Sequence, residues 1–143
     1  METLLGTTTF VLHRVAVAGR RAIAERLAVR PGLTLWEYAA LAELDERGPV
    51  AQNVVAEALG LDPSDVVKLM DELLTAQLVT RDRDAEDRRR YRIALTAKGR
   101  RSLATGHDVV RKVEEATLAP LSPAERSTLH RLVSKVHTNS VAK

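Results

Sequence analysis

At 143 residues the chain has room for one modest domain or one subunit of an oligomer. Hydrophobic residues at 45% and charged residues at 29% describe a globular protein rather than a disordered tail. The absence of cysteine excludes disulfides, thiolate zinc sites and thiol redox sensing. No apolar run approaches the ~20 residues of a membrane span, and His13, Arg14, Arg20 and Arg21 interrupt the N-terminal apolar stretch where a signal peptide would need continuity. A cytoplasmic address is therefore expected.

The predicted elements begin with a helix from about Thr9 to Ala28, in which Phe10, Val11, Val15, Ala22, Ile23 and Leu27 recur at helical spacing. Arg30-Pro31-Gly32 ends it. Thr34 and Glu37 have the spacing of a capping box and open a second helix that stops before Gly48-Pro49. A short third helix runs from about Ala51 to Leu59. A fourth starts at Asp62-Pro63, an N-cap followed by proline at the first helical position, and reaches about Ala76. Leu78–Asp82 and Tyr91–Leu95 are then β-leaning, with a charged tip between them: a hairpin with a long loop. Thr96 caps a fifth helix to about Leu118. Ser122 and Glu125 form a second capping box, and the last helix carries Leu129, Leu132, Val133 and Val136 on one face. The order is α-α-α-α-β-β-α-α, a mostly α (α+β) chain.

Residues 52–71 fit a helix-turn-helix. Two helices crossing through a short turn need a small residue at the crossing, a residue tolerant of positive φ in the turn, and apolar inner positions. Ala56, Gly60, and the set Val55, Leu59, Leu61, Val66 and Leu69 meet those needs. An ordinary αα-hairpin would also satisfy them. On the fourth helix Val66, Leu69, Met70 and Leu73 form the inner stripe, which leaves Ser64, Asp65 and Lys68 as candidates for base contacts. With Asp62, Asp65, Asp71 and Glu72 against Lys68 this helix is net acidic, so it cannot supply the attraction for phosphates that dominates nucleic-acid affinity.

That attraction must come from the hairpin. Residues 81–101 hold nine basic and four acidic side chains, a local +5 in a chain whose formal net charge is +3. Most of the nine are arginine, whose planar fork suits phosphates and base edges. The run Asp87-Arg88-Arg89, the strand Tyr91–Leu95, and Leu95-Thr96-Ala97-Lys98-Gly99 together resemble the wing signature of the MarR family of winged helix-turn-helix transcriptional regulators. The resemblance spans about Leu33 to Leu103, half the chain. It implies that Arg89 enters a DNA minor groove, that Asp87 holds it, and that Arg81 braces the Asp87 carboxylate. Arg88, Arg90 and Arg92 would meet phosphates or stand as plain solvated charges. The family often has glycine where Gln77 stands, which would put Gln77 in a strained turn.

The resemblance also implies three regions: an N-terminal dimerisation helix in 1–32, a DNA-binding lobe in 33–100, and C-terminal dimerisation helices in 101–143. Val15, Leu118, Leu121, Leu129, Leu132 and Val136 would line a homodimer core, or else an intramolecular one. A two-fold dimer would bind a pseudo-palindromic operator on double-stranded DNA, and a repressor is expected. Family members often release DNA when a small aromatic or anionic effector binds; His13, Arg14, Trp36 and Tyr38 are the residues here with suitable chemistry. His107, His130 and His137 are too scattered for a metal site, no cofactor is expected, and no phosphate loop or nucleophile motif points to an enzyme. The alternative function is a winged helix that has turned its acidic fourth helix to protein contacts, with weak or lost DNA binding.

Overall fold

The computed structural model, which describes residues 3–142, realises this order of elements. A short 3-10 turn at Leu4–Gly6 precedes α1 (Thr8–Val29); α2 (Leu35–Arg47), α3 (Gln52–Leu59) and α4 (Pro63–Thr75) follow. β1 (Val79–Arg83) pairs antiparallel with β2 (Tyr91–Leu95), and α5 (Ala97–Thr117) and α6 (Pro123–Val141) come last. This is the winged helix-turn-helix arrangement.

The helix starts are set by side chains that meet orphan backbone donors. Thr34 Oγ1 accepts from Glu37 N–H at 3.1 Å while Glu37 Oε2 accepts from Thr34 N–H at 2.8 Å. Ser122 and Glu125 repeat the exchange at 3.2 and 2.8 Å. Each such cap contributes about 1 kcal/mol.

Two compact units divide the chain: 20–110, and 1–19 with 111–143. In the first, Leu41 and Leu44 of α2, Val55 and Ala56 of α3, and Val66, Leu69, Met70 and Leu73 of α4 bury against Val79 and Ile93 of the sheet. Gly60 makes the α3–α4 turn in a left-handed conformation (φ 64°), as the helix-turn-helix template requires. An isolated bridge adds to the two strands. Val50 N–H donates to Ile93 O at 3.2 Å and Ile93 N–H to Val50 O at 2.7 Å, so the segment entering α3 is pinned to the hairpin. The N-cap of α3, Ala51, has no side chain able to accept from the first turn. In the second unit α6 has no buried residue, and Val113 is the one buried apolar side chain among the described residues there. Among the described residues no helix is long and apolar enough to cross a membrane.

Candidate nucleic-acid interface

The hairpin is aimed by a joint between the end of α4 and the start of α5. The chain leaves α4 through Gln77 at φ 59°, the only positive-φ non-glycine among the described residues. A left-handed residue with a side chain costs about 1–2 kcal/mol, so something must hold the turn. Thr96 does so: its hydroxyl donates to Gln77 O at 2.8 Å and accepts from Gly99 N–H at 2.9 Å, and its own N–H donates to Leu78 O at 3.1 Å. Lys98 Nζ donates to Ala76 O at 2.8 Å, a cation on the negative end of α4. Gly99 lets the two backbones meet, since a Cβ there would lie 2.0 Å from Leu78 O. The Leu95–Gly99 motif is thus a clasp that fixes the wing against α4.

At the hairpin tip two aspartates organise the loop. Asp84 Oδ1 accepts from Glu86 N–H at 2.9 Å, and Asp87 Oδ1 from Arg89 N–H at 3.1 Å, both Asx turns. Asp84 N–H donates to Arg90 O at 2.9 Å and closes the loop. Asp84 also takes Arg92 Nε at 2.9 Å; the Glu86 N–H and then Arg92 hold its carboxyl below the usual carboxylate range. Asp87 Oδ1 accepts from Arg89 Nε at 3.2 Å, and its other oxygen lies 3.7 Å from Arg90 Nε. The Arg89 side chain is 91% exposed even so. One pair this exposed contributes little to stability; what the contact does is orient the guanidinium outward.

Arg81 stands elsewhere than the resemblance implied. It does not reach Asp87; its guanidinium lies 4.5 Å above the Tyr91 ring, with that of Arg83 at 4.9 Å. The reason is the strand register. Arg83 pairs with Tyr91 and Arg81 with Ile93, so both arginines share a face with Tyr91, at the end of the ladder where the loop begins. Arg83 Nη1 also donates to Arg88 O across the loop. Tyr91 is a positioning residue that the sequence reading counted only as a strand position. The side chain of Arg88 makes no hydrogen bond or ion pair among the described residues.

Beside the wing, α4 presents the face expected of it. Ser64, Asp65 and Lys68 are exposed, and the stripe Val66, Leu69, Met70 and Leu73 is buried. Asp62 caps the helix by accepting from Ser64 N–H at 2.9 Å and from Ser64 Oγ at 2.7 Å, and these two bonds hold its carboxyl below the usual range. The Ser64 hydroxyl proton is therefore engaged, and what it offers outward is an acceptor. Ser64, Val67, Lys68, Asp71 and Thr75 line a shallow groove along the helix. Val67 is 49% exposed there and was not singled out from the sequence.

The four residues suited to an effector fall in two units: His13 and Arg14 in one, Trp36 and Tyr38 in the other. His13 stacks near Phe10, with ring centroids 6.4 Å apart. The Tyr38 hydroxyl is 2.8 Å from His107 Nδ1, and burial pushes its pKa up. Trp36 is half exposed. His107 is thus a partner of Tyr38. Among the described residues no group of three or more histidines and carboxylates could hold a metal ion.

A helix-turn-helix clasped to a cationic β-hairpin defines a winged-helix protein of the DNA-binding type. A family model described as the MarR family matches residues 32–90. Over 135 residues the chain is 30% identical to a putative transcriptional regulatory protein for the hcr operon of Thauera aromatica, covering 94% of this chain and 81% of that one. It is 27% identical over 125 residues to the HTH-type transcriptional repressor NicR of Pseudomonas putida, with 87% and 79% covered. Its fold superposes on a mutant MarR from E. coli complexed with operator DNA at a TM-score of 0.75, with 21% identity and 88% and 90% covered. The chain belongs to the MarR family of transcriptional regulators.

Proposed function

We propose that this chain is a homodimeric, cytoplasmic repressor that binds a pseudo-palindromic operator on double-stranded DNA. The observation that carries the proposal is the Asp87–Arg89 contact at the hairpin tip, which holds an almost fully exposed guanidinium outward beside a net-acidic α4. A narrow minor groove concentrates negative potential, and Arg89 is the side chain able to enter it. Arg88 and Arg90 meet flanking phosphates, and Arg81 and Arg83, stacked on Tyr91, steady the hairpin where its loop begins. On α4 Ser64 accepts from an adenine or cytosine amino group, Asp65 accepts from cytosine, and Lys68 donates to guanine. The region 33–100 does the binding, with 1–32 and 101–143 as dimerisation segments. Val15, Leu132 and Val136, at 45%, 48% and 61% exposure in a single chain, support a second copy covering them. Repression is supported by the likeness to NicR. A small aromatic or anionic effector is part of the proposal, and His13, Arg14, Trp36 and Tyr38 are the residues whose chemistry suits one.

Fluorescence anisotropy with DNA from upstream of the coding region, taken through a salt series, tests this. A DNA reader binds saturably at low salt, loses affinity steeply as salt rises, and weakens on Arg89→Ala. Weak binding that is indifferent both to sequence and to that substitution supports the protein-contact module, the reading favoured by the acidity of α4.

A further inference from the structure

We infer that Val67 is a specificity-determining residue that reads the C5-methyl group of a thymine in the major groove. The inference rests on the proposed DNA binding through α4 and adds to it a base and an atom. Four residues give the outer face of α4 its polar character: Ser64, Lys68, Asp71 and Thr75. Val67 sits among them, 49% exposed, and is the large apolar side chain left uncovered on this helix. It is a member of two adjoining grooves. One runs along α4 with Ser64, Lys68 and Asp71, and the other runs toward α3 with Pro63 and Arg81. Val67 therefore borders both grooves and stands half exposed between them.

The chemistry of the duplex limits what such a side chain can meet. Major-groove edges present hydrogen-bond donors and acceptors to a protein, and the thymine methyl is their apolar feature. A valine placed on any other base edge would cover a donor or acceptor without replacing its bond with water, which is unfavourable. The side chain is also ready for the contact, because a β-branched residue in a helix has one strongly preferred χ1 and loses little freedom on binding. One neighbour is compatible with an adenine beside that thymine. Ser64, three residues earlier on the same face, offers an acceptor because its proton is given to Asp62 at 2.7 Å, and an adenine amino group is a donor that fits it.

The test starts from the duplex recovered by selection from a randomised pool with the full-length protein. Each thymine in it is replaced singly by uracil, which removes the methyl group and nothing else. The expected result is one thymine per half-site whose replacement weakens wild-type binding about fourfold, the effect of one buried methyl-sized group. The same replacement leaves Val67→Ala binding unchanged, because the contact is already gone. Circular dichroism of Val67→Ala checks that the fold is retained, and Val67→Ile, which keeps an apolar side chain, retains the preference for thymine. If every uracil duplex binds the wild type as the parent does, or if Val67→Ala shows the same uracil sensitivity as the wild type, the inference fails while DNA binding stands. If selection enriches no duplex at all, the underlying DNA-reading function fails with it.

Discussion

The fourth helix and the hairpin that follows it are neighbours in the chain and opposites in charge. The helix carries Asp62, Asp65, Asp71 and Glu72 against one lysine; the hairpin carries Arg81, Arg83, Arg88, Arg89, Arg90 and Arg92. A rod of that composition gains nothing from the phosphate backbone, and a finger of the other composition gains little from base edges it cannot line up with. The contrast separates two tasks usually carried by one surface. On the proposed function, attraction is assigned to the hairpin, and discrimination to the polar face of α4 and its exposed Val67. The clasp of Thr96, Lys98 and Gly99 is then central, because it holds the two at a fixed distance and angle.

The contrast breaks most completely if the clasp is forced open. Gly99→Ala places a methyl group against the Leu78 carbonyl at a distance no packing tolerates. The expected cost is about 3 kcal/mol of folding stability, seen in denaturant unfolding, with loss of operator binding at concentrations where the wild type is saturated. Next in size is Arg89→Ala, which should weaken binding about tenfold or more on every duplex alike, because the side chain serves attraction more than sequence. Equal losses on specific and non-specific DNA are the signature to look for in anisotropy.

Gln77→Gly works in the opposite direction. Relieving the left-handed glutamine at φ 59° should raise stability by roughly 0.5–1 kcal/mol after the added freedom of the unfolded chain is set against it. The DNA affinity should not change, since the clasp already imposes the native turn. The smallest effect concerns acid. Asp62 and Asp84 both have carboxyls held below the ordinary range, by Ser64 and by the Glu86 N–H with Arg92 respectively. Groups with depressed folded pKa values stabilise above their unfolded values, near pH 4, and lose that contribution as pH falls through the folded ones. Urea melts between pH 5 and 3 should show Asp62→Asn and Asp84→Asn variants less acid-sensitive than the wild type.

Much of the fold was legible because its determinants are local. The capping pairs Thr34–Glu37 and Ser122–Glu125, the Asp62-Pro63 start and the Gly60 turn each lie within a few residues, and all form as the spacing requires. The strained turn at Gln77 was legible as well, through the residue usual at that place in the family. What escaped depends on partners distant in sequence. Val50 pairs with Ile93 across forty-three residues, and nothing beside Pro49 signals a strand. Arg81 went to Tyr91 instead of Asp87 because the register places both on one strand face, and register is a property of the pair. Leu78, read as the first strand residue, is used in the turn, where its carbonyl accepts Thr96 N–H. Val67 escaped for a different reason: a search for the inner stripe of α4 and then for its polar face passes over an apolar residue lying on the outside.

The division of labour is tested most directly by the salt dependence of binding in two variants side by side. One neutralises the hairpin tip (Arg88→Ala, Arg89→Ala and Arg90→Ala together), and the other strips the polar face of α4 (Ser64→Ala with Lys68→Ala). The tip variant should lower the slope of log affinity against log salt by about two to three per subunit and lose specific and non-specific DNA alike. The α4 variant should keep most of its slope and lose the preference between the two. A tip variant with an unchanged slope, or an α4 variant that loses attraction while keeping its preference, would contradict the assignment.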